Sequence, residues 1–190
     1  MLDIRRREFI TLLGGPISRR SLLLAGACAS SILGPKPARA QAGIWQEYRR
    51  DDLGFRIEMP TAPMIRVQKG RPEDNWTTST DAQVRYQNEI FDLSWTEFKD
   101  VASAEDEYTR FRGMMIGAGF QIEQDIPLTL NDVPAREFII ETGDINFIRR
   151  ILAVRNLAIG IHALGARNIQ NSPTARRFLD SFKVLRTASP

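Results

Sequence analysis

Cysteine is nearly absent from this chain. The 190 residues contain one, Cys28, and none follows residue 40. The region after residue 40 forms no internal disulfide and depends on its core alone. A chain of that length buries roughly 68–70% of its unfolded surface, which suffices without staples. Histidine is equally scarce, with His162 the single example. One histidine and no cysteine leave no ligand set for zinc or another transition metal, and no cofactor is expected. One histidine would still serve a lone Ser-His-Asp triad, so a hydrolase stays as the weakest reading. No G-x-S-x-G elbow accompanies it. No glycine-rich loop opens a helix; Gly113 to Gly119 follows a helical stretch and reads as its end. Long apolar runs are missing too. The best, Ser21 to Gly34, is interrupted by Gly, Ser and Cys, whereas a spanning helix needs about 20 apolar residues. No stable membrane anchor is expected.

Charge is unevenly distributed. The chain holds 26 basic and 23 acidic residues. Seven of the basic residues and two of the acidic ones fall in the first forty, leaving 19 and 21 beyond them. The basicity belongs to the N-terminal segment. The remainder is close to neutral and lacks the charge that drives nucleic-acid binding, so no nucleic-acid partner is expected.

The first forty residues read as an export signal. Arg5-Arg6-Arg7 precedes the short apolar run, Pro35 and Pro37 end it, and Ala38-Arg39-Ala40 supplies small residues at a cleavage site. Two stretches resemble the twin-arginine signature: Arg6-Arg7-Glu8-Phe9-Ile10, and Ser18-Arg19-Arg20-Ser21-Leu22-Leu23. Such signals are addresses read by a receptor, here the twin-arginine export machinery. The expectation is cleavage after Ala40 and a single periplasmic domain over 41–190. Ala25-Gly26-Ala27-Cys28 leaves lipidation at Cys28 as the alternative.

Beyond the signal, alternation with period two dominates. Strands are expected over Ile44–Arg49, Phe55–Met59 and around Ile65 and Val67. Residues 71–82 read as a loop at first. A long strand follows through Val84, Tyr86, Asn88 and Ile90, with a turn at Asp92 and a partner strand over Leu93–Phe98. Ser103 caps a first helix, whose Tyr108, Phe111, Met115 and Ala118 share a face, and Gly117 or Gly119 stops it. Further strands are expected over 120–124, 126–130 and 136–141, with turns at Asn131-Asp132 and Gly143-Asp144. Phe147–Val154 and Leu157–Ala163 read as a hairpin turning at Arg155-Asn156. The apolar run Ile151–Val154 marks a central strand. Ser172 and Pro173 open a final helix with Ala175, Phe178, Leu179 and Phe182 on one face, and a short strand over 183–185 closes the chain. Hairpins with two covering helices argue for an α+β fold on an antiparallel sheet.

Three stretches carry a family resemblance: Val133-Pro134-Ala135-Arg136-Glu137-Phe138, Arg150 to Leu157, and Ala175-Arg176-Arg177-Phe178-Leu179-Asp180-Ser181-Phe182. Together with the element order they resemble the PsbP-like family over about residues 45–186, the span of one domain. That family includes an extrinsic subunit of the photosynthetic oxygen-evolving complex and many bacterial envelope proteins. Ala158 stands where bacterial relatives often carry an aromatic. The resemblance implies an α/β/α sandwich around a mainly antiparallel sheet, and no single activity.

Few residues stand out as candidates. Trp76 lies in a polar stretch and reads either as a partner-binding aromatic or as a ring folded back on the core. Arg149 and Arg150 read as an anion- or partner-binding pair, or as the solvated edge of a strand, and Arg176-Arg177 likewise. Glu105, Asp106 and Glu107 suit the positive end of a helix dipole better than a cation site. His162 reads as a half-exposed strand residue. The functional expectation is a non-catalytic, exported binding or assembly module with an envelope protein as partner; the alternative is a carrier of a small ligand.

Overall fold

The computed structural model describes residues 45–141 and 145–185. The proposed signal, with Arg6, Arg7, Arg19, Arg20, Cys28, Ala38 and Ala40, lies outside the described residues, as does the turn expected at Gly143-Asp144. Ten strands are described: β1 (Gln46–Arg50), β2 (Phe55–Met59), β3 (Met64–Lys69), β4 (Trp76–Tyr86), β5 (Glu89–Phe98), β6 (Gln121–Leu130), β7 (Val133–Glu141), β8 (Ile145–Val154), β9 (Leu157–Ala166) and β10 (Lys183–Val184). Helix α1 (Ala104–Gly117) joins β5 to β6, and α2 (Pro173–Ser181) precedes β10. No described helix is long and apolar enough to cross a membrane.

The strands form two sheets. One has seven strands in the order β3-β4-β5-β9-β8-β7-β6, the other three in the order β1-β2-β10, and every described pairing is antiparallel. The fold is therefore β-rich, with two helices against two antiparallel sheets, and the expected α+β arrangement as an α/β/α sandwich is not what is found. One face of the large sheet carries the small sheet together with the short α2. The other carries α1 alone, against β6, β7 and β8. The alternation of β1 and β2 shows that they are strands. It does not say which strands they join, and they pair with the last strand instead of entering the main sheet.

Local chemistry sets the element ends. The Ser103 hydroxyl accepts from the Asp106 N–H, as a helix N-cap should, and Glu105, Asp106 and Glu107 occupy the first turn. At the other end Gly119 adopts φ +77°. Its N–H bonds the Ile116 carbonyl and that of Phe120 the Met115 carbonyl, a Schellman motif. Ser172 caps α2 with Pro173 in its first turn. Asn131 and Asp132, both with positive φ, make the two-residue turn between β6 and β7.

The turn expected at Asp92 falls earlier, at Gln87 and Asn88, with Gln87 at φ 55°. β4 begins at Trp76, inside the stretch that reads as a loop; its polar residues take strand positions, with Thr78 and Ser79 hydrogen-bonded across to Glu97 and Thr96 of β5 and Thr80 buried opposite Trp95. The register moves with the turn, and Asp92 becomes a buried residue in mid-strand.

Two apolar clusters hold the layers. Beneath the small sheet and α2, Phe55 meets Trp95 edge-on at 5.4 Å and Phe91 meets Phe178 at 5.1 Å between ring centres. Beneath α1, Tyr108, Phe111 and Met115 pack on Phe138, Ile140, Phe147, Ile151 and Leu164. Each such side chain contributes about 1.5–3 kcal/mol on burial.

Candidate functional site

The sheet face that α1 shares is apolar over β6–β8 and polar towards β4 and β5. Register explains how the polar residues meet. Asp92 on β5 is opposite His162 on β9, and His162 is opposite Arg149 on β8. Residues directly opposite each other project from the same face. In the next row Asp81, Ser94 and Gly160 are opposite in turn, and Arg66 on β3 is opposite Asp81. Five groups able to hydrogen-bond or ionise therefore share one surface: Asp81, Asp92, Ser94, Arg149 and His162.

Gly160 lets them converge. A Cβ added there would lie 2.7 Å from His162 Nε2, 2.8 Å from Arg149 Nη2 and 2.8 Å from Ser94 Oγ. The three polar ends occupy the space that any side chain at this position would fill. Ser94 Oγ lies 3.4 Å from His162 Nε2 and 3.4 Å from the Gly160 carbonyl, both at the long limit of a hydrogen bond. The Arg149 guanidinium lies over the Phe111 ring of α1, 4.6 Å from its centre.

The satisfaction of these groups is incomplete. Arg149 Nε, His162 Nδ1, Asp92 Oδ1 and Asp81 Oδ1 are buried without a hydrogen-bond partner. Buried polar atoms are almost always paired, and these four exceptions fall on one face of the sheet. Electrostatics follows from burial. Desolvation, reinforced by neighbouring Asp81, pushes the Asp92 carboxyl up to about 7. Desolvation likewise pushes Asp81 up to about 6. Burial pulls the Arg149 guanidinium down to about 9, which leaves it charged at neutral pH. His162, fully enclosed and beside Arg149, is pushed well below its usual value and stays neutral. Asp92, His162 and Ser94 do not form a hydrolase relay, because His162 Nδ1 has no carboxylate to orient it. Among the described residues no set of three His, Cys, Asp or Glu is placed to hold a metal ion.

Several expectations for single residues change here. His162 is fully buried, not half-exposed, because β9 lies in the middle of the sheet. Arg149 and Arg150 are not a solvated edge. They alternate on a central strand, point to opposite faces and are 8% and 7% exposed. Adjacency in sequence reads as a patch, but the two-residue period of a strand splits it. Arg150 donates to Glu137 Oε2, the Leu179 carbonyl and Asp180 Oδ1, each at 2.7 Å. Arg176 bonds the same Glu137, while Arg177 pairs with Glu58 and lies over Trp45. Trp76, at the start of β4, is 7% exposed and borders the cleft at the start of α1.

Two openings flank these groups. A cleft of about 280 Å³ at the start of α1 is lined by Trp76, Thr96, Phe98, Ser103, Glu107 and Arg110. A groove of about 400 Å³ on the opposite face runs between Leu128 and Leu130 of β6 and Arg150, Arg176 and Phe182. The signal that could have revealed the cluster was present: Asp92, Ser94, Gly160 and His162 interrupt otherwise apolar strands.

No known protein family matches the chain, and no curated protein matches it. Among solved structures, a Pseudomonas aeruginosa protein of unknown function, described as a putative regulator, aligns over 78% of this chain and 99% of its own. Its identity is 13% and its TM-score 0.42.

Proposed function

We propose that this chain is an exported, non-catalytic binding module of the bacterial cell envelope, and that its partner adds an extended segment to the edge of β3. The export and envelope halves rest on the twin-arginine-like and A-x-A stretches. The docking half rests on one observation. Among the described residues β3 ends the seven-stranded sheet, and all six of its residues are exposed. Three of its side chains are large and apolar: Met64 at 51%, Ile65 at 44% and Val67 at 61% exposure.

An open edge offers unpaired N–H and C=O groups to another strand, and natural proteins usually guard it. The opposite edge is guarded. β6 contains Pro127 and a bulge between Ile122 and Gln124, and its Asp125 is engaged by Arg112 and Arg136. β3 has neither proline nor bulge along its pairing with β4. Strand addition combines main-chain bonds with alternate side-chain contacts. Arg66 and Lys69 favour a segment bearing acidic residues.

A photo-crosslinking residue in place of Val67, expressed in cells, tests this. The expected product is one discrete adduct with an envelope protein. It is absent from the same probe at exposed Ile116 on α1 and lost when Arg66 and Lys69 both become Glu. Equal labelling from both positions, or an adduct indifferent to the charge reversal, refutes the reading.

A further inference from the structure

We propose that Arg149, Ser94 and His162, converging over Gly160, form the binding site for the carboxylate of a small molecule that enters beside the first turns of α1. The site is separate from the β3 edge, and its failure would leave the strand-addition reading standing.

Guanidinium geometry carries the argument. Nε and Nη2 form one edge of the arginine fork, the edge that grips a carboxylate through two parallel bonds. In Arg149, Nη2 lies with His162 Nε2 and Ser94 Oγ over Gly160, and Nε is buried without an acceptor. No acidic side chain lies within ion-pair distance of Arg149 among the described residues, unlike Arg150 on the other face, whose fork is fully used. A buried, unpaired guanidinium is costly, and a ligand carboxylate offsets that cost. Ser94 Oγ and His162 Nε2 stand beside the same edge and supply further polar contacts. Phe111 backs the guanidinium and holds its plane.

Thr96, Ser94 and Asp92 alternate along one face of β5, and Thr96 lines the cleft of about 280 Å³ at the start of α1. Charge around Arg149 must also be compatible with an anion. The groups facing it are His162 from β9, Asp92 from β5, Asp81 from β4 with Arg66 opposite on β3, and Glu107 with Arg110 from α1. Glu107 and Arg110 neutralise each other, and Arg66 lies across from Asp81. Burial favours the protonated forms of Asp81 and Asp92, which then donate hydrogen bonds in place of repelling an anion. Binding is therefore tighter in acid than in alkali.

The only histidine in the chain is itself the reporter. The full chain, labelled at histidine, is titrated with acetate and separately with inorganic phosphate at about pH 5.5 and about pH 8, following the ring resonances by NMR. Acetate is expected to shift the His162 signals saturably, with affinity about tenfold weaker at the higher pH. Arg149→Lys, which keeps the charge and loses the fork, weakens acetate about tenfold or more while the spectrum stays dispersed. Should that variant fail to fold, Ser94→Ala is expected to weaken acetate several-fold. No saturable shift in the unaltered chain overturns the proposal. So does acetate binding unchanged in either folded variant, and a response to phosphate alone overturns the carboxylate assignment.

Discussion

Replacing Arg150 with Ala tests how the groove side of the fold is held. Arg150 and Glu137 side chains are 8% and 6% exposed, 2.7 Å apart. The same guanidinium donates to the Leu179 carbonyl in the last turn of α2, a group that helix geometry leaves without an intrahelical partner. Truncation leaves Glu137 buried with only Arg176, itself 35% exposed, and leaves the Leu179 carbonyl bare. Breaking one partner of a buried pair costs about 3–5 kcal/mol. In a domain of this size each kcal/mol moves Tm by about 2–4 °C, so the expected loss is on the order of 6–20 °C. The control is Arg177→Ala. Arg177 and Glu58 are 51% and 44% exposed. An exposed pair is worth about 0–1 kcal/mol and the ring contact with Trp45 about 0.5–1 more. Thermal unfolding of both variants, followed by circular dichroism, decides the matter. A Tm for Arg150→Ala within about 2 °C of the Arg177→Ala value would refute the reasoning. The double variant Arg150→Met with Glu137→Leu should recover much of the loss, since an apolar pair of similar volume carries no desolvation cost.

Other outcomes follow from the same physics. Asp92 is more readily protonated in the folded state than in the unfolded chain, so its contribution is fully present below about pH 4 and is lost as pH rises through about 7; Asp92→Asn should raise Tm at alkaline pH and flatten the fall, and an unchanged pH profile counts against the burial argument. Ser103→Ala removes the acceptor of the Asp106 N–H and should cost about 1 kcal/mol in chemical denaturation, as an N-cap does; no change would mean that the first turn is held otherwise. Changing Arg6-Arg7 or Arg19-Arg20 to paired lysines should block export for one pair only, and the mass of the exported chain should begin at Gln41; export untouched by both changes removes the twin-arginine reading.

The chain's own order of residues was enough to place α1, α2 and most strands, because helix caps and period-two alternation act over a few residues. Ser103 and Ser172 with Pro173 announced the helices, and Asn131-Asp132 announced a tight turn. Where local signals were weak, placement slipped. The turn at Gln87 and Asn88 contains no glycine or proline, so the sequence points to Asp92 instead, a residue that folding buries in mid-strand.

Pairing was decided only in three dimensions. Nothing within β1 or β2 says that they leave the main sheet and join β10, and that separation removed the expected sandwich. The consecutive arginines make the same point. Sequence offers one basic pair, but the pleat sends Arg150 into a satisfied salt-bridge network and Arg149 among buried, unpaired polar groups. Side-chain chemistry is written residue by residue, whereas burial and partnership are properties of neighbours that the chain brings together only when it folds.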